Sequence, residues 1–229
     1  AGRDKMPMGN SFCKPRLILI TAIIAAVMAP SVAYASPATP RDNGDTPSDW
    51  AMEQIDRAKE INLIPENIQG EYRSSITREE FSTLAVGLYK ALGGKEGAVP
   101  EENPFTDTEN PKVLTAYGLG IVQGNGEGLF GPNDTVNREE ISVMLYRTLQ
   151  AAKPEYDYSG QFEYIFADQS EISSWAEEAV GYLYGVEVIN GVGDNRFNPG
   201  GETTREEAIV LAMRLHDKVL ATDKAAQNT

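Results

Sequence analysis

Apolar residues in this chain repeat with the period of a helix and not with the alternation of a strand. Three stretches place them at i, i+3, i+4 and i+7: Phe81, Leu84, Ala85 and Leu88; Ile141, Met144 and Leu145, with Thr148 closing the set; and Ala208, Leu211, Ala212 and Leu215. That spacing lays one apolar stripe along each helix. A second, shorter helical pattern precedes each of these. Asp49 is positioned to cap a helix through Trp50, Ile55, Ala58 and Ile61, and Ser174 with Glu177 has the form of a capping box ahead of Trp175, Val180 and Leu183. Between them, Asn110 followed by Pro111 starts a helix that is about a turn shorter and carries no Trp.

The pattern is one unit written three times. The second helix of each unit opens with a related phrase, "ITREEF" from Ile76, "VNREEI" from Val136 and "TTREEA" from Thr203. Aligned on Arg138 and Arg205, the preceding loops match without a gap. Gly124 and Gly191 lie fourteen residues before the Arg, Phe130 and Phe197 eight before, and Pro132 and Pro199 six before. "GNGEGLFGPND" and "GVGDNRFNPGG" are thus one turn-rich loop in two versions. The first unit has a shorter loop, "PENIQGEYRSS". A helix-loop-helix unit of about fifty residues cannot bury its stripes alone, so the three are expected to pack as a single all-α domain over about 45–218.

The repeated phrase divides into parts with different explanations. Thr77, Asn137 and Thr204 are N-cap residues with Glu80, Glu140 and Glu207 three positions later, which is a helix-initiation signature. Glu79, Glu139 and Glu206 fall in the first turn, where the helix dipole favours a negative charge. The arginines fall in that same turn against the dipole, at a cost of a few tenths of a kcal/mol. Their reason must lie elsewhere. Two readings stand side by side: a salt bridge to a carboxylate on the neighbouring unit, or a planar fork offered to an anionic ligand.

The first 35 residues follow another rule. Lys14 and Arg16 precede the apolar run "LILITAIIAAVM", and Ala33-Tyr34-Ala35 sets small residues before Ser36. This has the three regions of a secretory signal peptide and is shorter than the roughly 20 apolar residues of a membrane span. Met6 or Met8 is the expected start. Cys13, the lone cysteine, precedes the run, so cleavage would leave no disulfide and no thiol-linked lipid. The formal charge is -14; residues 1–35 carry four cations and one anion, so their removal takes it to -17. A chain that acidic is expected to be soluble and repelled by nucleic acid and by anionic membranes.

Catalytic and metal chemistry find little support. Registered on Gly128 or Gly193, an EF-hand loop would begin at Gln123 or Val188, where Asp is required. The single histidine, His216, is read as a cation near the end of the last helix, which leaves no His-based triad and no zinc site. No cofactor and no metal are expected.

The three units resemble S-layer homology (SLH) repeats, whose most recognisable element is Ile-Thr-Arg-Ala-Glu. That element here reads Ile76-Thr77-Arg78-Glu79-Glu80, Val136-Asn137-Arg138-Glu139-Glu140 and Thr203-Thr204-Arg205-Glu206-Glu207. "FTD" from Phe105, "FAD" from Phe166, Trp50-Ala51, Trp175-Ala176 and the loops ending Phe-x-Pro carry the same resemblance. On it, repeats fall at 45–92, 104–150 and 164–218, after a linker at 36–44 and before a polar tail at 219–229.

The resemblance implies a pseudo-threefold, three-lobed helical domain. It also implies non-covalent attachment to a secondary cell-wall polymer, a peptidoglycan-linked anionic glycan that is often pyruvylated, held in grooves between lobes at the surface of a Gram-positive bacterium. By position it gives glycan contacts to Arg78, Arg138, Arg205, Trp50, Trp175, Gly124 and Gly191. Read without the resemblance, the tryptophans are ordinary core residues opening amphipathic helices. The alternatives to a glycan anchor are a scaffold that packs on other surface-layer proteins through degenerate grooves, and the anchor fragment of a larger extracellular protein. The units are not equal: the second lacks the Trp, and the first has Glu66 in place of the loop Gly and no Phe-x-Pro. Three equivalent grooves are therefore not expected.

Overall fold

A computed structural model describes residues 45–97, 99–159 and 166–227. The expected signal peptide and linker lie outside the described residues. The described chain is helical, with no strand or sheet: α1 (Asp49–Glu60), α2 (Arg78–Ala91), α3 (Pro111–Gly118), α4 (Arg138–Ala152), α5 (Glu177–Gly185) and α6 (Arg205–Gln227). The units are α1–α2, α3–α4 and α5–α6, so the all-α expectation holds.

The helix starts follow the sequence signals in most places. Thr77–Glu80 and Asn137–Glu140 form reciprocal capping boxes, and Thr204 exchanges the same bonds with Glu207. Asn110 accepts from the Lys112 N–H with Pro111 at the first helical position. Two starts differ. Asp49 is the first residue of α1 rather than its cap, which is Ser48. The Ser174–Glu177 box does not form, because α5 begins at Glu177 with Ala176 in the cap position. In both places a serine hydroxyl is engaged by another unit. α6 also runs on to Gln227, which puts His216 in mid-helix and buried rather than at a helix end.

Helices from different units make the lobes. α3 packs on α2, α5 on α4, and α1 on α6, while α2, α4 and α6 meet one another at the centre. Each unit therefore lays its first helix on the preceding unit's second helix, and the last unit receives the first. No unit owns a complete core. Phe81, Leu84, Leu88, Ile141, Leu145 and Ile209 are fully buried, together with the loop residues Phe130 and Phe197.

A ring of three backbone hydrogen bonds marks the pseudo-threefold axis. Ile76 N–H donates to Thr203 C=O at 2.9 Å, Thr203 N–H to Val136 C=O at 3.1 Å, and Val136 N–H to Ile76 C=O at 3.2 Å. All three residues are fully buried. Two of them fill the axis with branched hydrocarbon. Thr203 brings a hydroxyl that finds no partner.

A buried hydroxyl without a partner costs about 1–3 kcal/mol, and Val has nearly the shape of Thr. Thr203→Val is therefore expected to stabilise the domain by about 1 kcal/mol, raising Tm by about 2–4 °C. Thermal unfolding followed by circular dichroism checks this, and a lowered Tm would show that the hydroxyl contributes to the centre.

Candidate functional site

The candidate site grows from the way each second helix begins. Its first free N–H groups point into the loop of the next unit: Arg78 N–H donates to Asp134 C=O at 2.9 Å, Arg138 N–H to Gly201 C=O at 3.0 Å, and Arg205 N–H to Ser74 C=O at 2.9 Å. Helix starts that would need solvent or a cap are satisfied by a neighbour. The first Glu of the phrase makes the same step. Thr108 Oγ1 donates to Glu79 at 3.1 Å; Ser173 N–H and Oγ donate to Glu139, both at 2.9 Å; Ser48 N–H and Oγ donate to Glu206 at 2.9 and 2.8 Å. Read along the sequence these glutamates needed only the helix dipole. In the fold they clamp the start of the next unit's first helix, and Glu139 and Glu206 are buried doing so.

The arginines cross the same boundary. Arg78 donates from Nε to Phe130 C=O at 3.0 Å and from Nη2 to Gln123 C=O at 2.9 Å, with its guanidinium 4.9 Å from the Phe130 ring centroid. Arg138 repeats this on Phe197 C=O at 2.8 Å and Asn190 C=O at 3.1 Å, with its guanidinium 5.3 Å from the Phe197 ring. Arg78 also has Glu140 of the next unit at 3.9 Å, but Arg205 makes far closer neighbour salt bridges: Nη2 to Glu80 at 2.6 Å and Nη1 to Glu71 at 3.1 Å, plus Gly70 C=O at 3.2 Å. The neighbour salt bridge read from the sequence is present at Arg205, and a partner that was not foreseen, the loop carbonyl, takes Arg78 and Arg138.

Two grooves open beside these clamps. The first, of about 360 Å³, is lined by Arg78, the loop at Gln123–Asn125, Glu140 and Arg147 of α4, and Trp175. The second, of about 450 Å³, is lined by Arg138, Asn190–Val192, Glu207 and Arg214 of α6, and Trp50. Each draws on all three units. Trp50 and Trp175 are 55% and 56% exposed, which overturns the reading of them as core residues. An indole held half in water at the mouth of a polar groove is available to a sugar face.

The third boundary is built differently. Arg205 is locked between Glu80 and Glu71, Glu66 stands where the other loops have Gly, and the unit that would supply a Trp lacks it. The departures noted along the sequence, spread over two units, meet at one place in the fold.

The loops themselves are held by aspartates. Asp107 accepts from Phe130 N–H and Gly131 N–H, both at 2.8 Å, and Asp168 from Phe197 N–H and Asn198 N–H, both at 2.8 Å. The backbone bonds lower the Asp107 pKa. Burial pushes Asp168 the other way, but its two backbone bonds and Arg196 outweigh it and the net shift is again downward. Gly124 and Gly191 are needed for close approach: a Cβ would come within 2.8 Å of Leu129 O and 2.9 Å of Arg196 O. Of the residues singled out along the chain, Arg78, Gly124 and Trp175 come together, as do Arg138, Gly191 and Trp50. Arg205 stands apart. Arg147 and Arg214 were missed; the signal was there, since each lies nine residues after a motif Arg.

Comparison with known proteins bears on the sequence of these units. The family model "S-layer homology domain" matches residues 104–141 and 165–209, so the chain carries S-layer homology domain sequence in its second and third units. An endoglucanase of Bacillus sp. (strain KSM-635) is 29% identical over 217 residues, covering 90% of this chain and 22% of that protein. The surface-layer 125 kDa protein of Lysinibacillus sphaericus is 25% identical over 221 residues, covering 92% and 18%. The middle cell wall protein of Brevibacillus brevis is 27% identical over 137 residues, covering 58% and 12%. The chain spans about a fifth of the length of such relatives.

Asp168→Asn is expected to cost about 1–3 kcal/mol, because two backbone N–H groups lose their carboxylate. A carboxyl whose pKa is lowered by folding adds stability that is present above its unfolded pKa and is lost as pH falls through the folded value. Wild type should therefore lose stability below about pH 4, and Asp168→Asn should lose less over that range. Chemical denaturation at pH 7 and at pH 3 measures both. Equal acid sensitivity in the two proteins would remove Asp168 from this role.

Proposed function

With S-layer homology sequence in its second and third units, we propose that this bacterial cell-surface module anchors non-covalently to a secondary cell-wall polymer, an anionic glycan, through two grooves rather than three. One groove is Arg78–Gly124–Trp175 and the other Arg138–Gly191–Trp50. The first unit acts as a third repeat in the fold, supplying Arg78 to one groove and Trp50 to the other. The observation that carries the reading is the coincidence of parts: the two boundaries with a loop Gly also have an exposed Trp and an Arg held by loop carbonyls, with a carboxylate no nearer to Arg78 than Glu140 at 3.9 Å, while at the boundary that lacks the Gly and the Trp the Arg is closed by Glu80 at 2.6 Å and Glu71 at 3.1 Å.

The segment recurs in a glucanase and in surface-layer proteins alike, which supports a role independent of what it is attached to. The wall of a Gram-positive cell is the location this reading assigns. Among the described residues no helix is long and apolar enough to cross a membrane. The acidic chain would be repelled at long range by an anionic polymer. Binding would then rest on local contacts in the grooves and depend only moderately on salt.

The test is co-sedimentation of the purified protein with Gram-positive cell walls, before and after extraction of the secondary polymer. Trp50→Ala and Trp175→Ala should each weaken sedimentation by about 1–2 kcal/mol while leaving Tm within about 1 °C, both side chains being largely exposed. Arg205→Ala should do the reverse, costing about 3 kcal/mol of stability by stranding Glu80 and leaving the binding of the folded fraction unchanged. A folded protein that ignores intact walls would sink the anchor reading in favour of a protein-interaction scaffold.

A further inference from the structure

The two open grooves share a feature that neither the repeated phrase nor the anchoring role requires. Arg147 in α4 and Arg214 in α6 each lie nine residues after the motif Arg of their own helix, and each lines one groove. Both are half-buried, and neither side chain makes a hydrogen bond or ion pair with any described residue. In a chain with 34 acidic and 20 basic side chains, two half-buried guanidiniums left without a carboxylate are conspicuous. The acids that line the same grooves are already engaged, since Glu140 and Glu207 accept from the Asn137 and Thr204 N–H groups as helix caps at 3.0 and 2.8 Å, and Glu140 also lies 3.9 Å from Arg78.

The corresponding position in the first unit is Gly87, nine residues after Arg78. A Cβ there would lie 3.0 Å from Leu63 O, so a side chain at the third boundary would crowd the backbone of that unit's own loop. The extra cation is thus present at both open grooves and missing from the closed one. The motif arginines, by contrast, spend Nε and Nη2 on loop carbonyls. Their fork is largely used before any ligand arrives.

We propose that Arg147 and Arg214 are the cations that contact the ligand's oxyanion, a carboxylate or phosphate carried on a sugar that packs against Trp175 or Trp50, and that Arg78 and Arg138 chiefly position the groove wall. The proposal rests on the anchoring reading above. Electrostatics at the second groove agree with it. Burial lowers the Arg138 pKa, Glu207 offsets this in part, and the like charge of Arg214 lowers it further. An entering anion would compensate the guanidinium charge that burial penalises there. Arg205, already paired with Glu80, is shifted upward.

The experiment compares wild type, the double variant R147Q/R214Q and the double variant R147K/R214K in co-sedimentation with polymer-bearing Gram-positive walls, each with its Tm. The expected result is a loss on the order of tenfold or more in R147Q/R214Q, partial recovery in R147K/R214K, and unchanged Tm in both. R147Q/R214Q binding as well as wild type would overturn the proposal while leaving the anchoring reading intact. Wild type failing to bind would defeat the reading itself. A loss of binding matched by an equal loss of Tm would assign the two arginines to structure and also overturn the proposal. A parallel arm on carboxyl-reduced walls identifies the oxyanion. If wild type loses its advantage over R147Q/R214Q there, the group is a carboxylate; if it keeps it, a phosphate.

Discussion

Everything in this fold depends on the fact that no unit can finish its own structure. The ring joining Ile76, Val136 and Thr203 closes only when all three are present, because each residue donates to one neighbour and accepts from the other. The same circulation runs outward. The second helix of each unit starts on the next unit's loop, its first Glu holds the next unit's first helix, and that first helix packs back against it. Such a closed cycle exchanges the usual solvent exposure of helix N-termini for buried partners. It should unfold as one cooperative body.

Grooves are a by-product of that circulation. A helix that begins against a neighbour's loop leaves a cleft beside its first turns, walled by the loop and by the helix that follows the loop. Whether the cleft stays open depends on what the arginine meets. Carbonyls of the Gly-bearing loops satisfy part of the Arg78 and Arg138 guanidiniums and leave the clefts unfilled. Carboxylates of Glu80 and Glu71 neutralise Arg205 and occupy its surroundings. Identical residues in the motif thus give two different environments, and the difference is set by the neighbouring unit.

Much of the helical framework was legible in the sequence, because i, i+3, i+4 spacing and N-cap chemistry are local. Asn110–Pro111, Thr77–Glu80 and Asn137–Glu140 behave as their own side chains dictate. The failures have more than one cause. Asp49 and Ser174 were read as caps, but beside each a serine, Ser48 or Ser173, is claimed by a glutamate more than thirty positions away in sequence. His216 was misplaced because the polar residues after it continue the helix. Trp50 and Trp175 have the spacing of core residues, yet they stand before the buried stripe at Ala51 and Ala176 and stay in solvent. The candidate site was legible residue by residue but not as a site. Nothing in the linear order says that Trp175 belongs with Arg78, or that a missing Trp in one unit and Glu66 in another affect the same cleft.

The protein has two tryptophans, one at each groove, so its intrinsic fluorescence can report the grooves separately. The most direct measurement is a titration of solubilised secondary wall polymer into Trp50→Phe and Trp175→Phe, each with one indole left. The account predicts a saturable change in emission from both variants, since each remaining indole sits in an open groove. Polymer binding without a change at either indole would contradict the two-groove account and place the contact elsewhere on the domain.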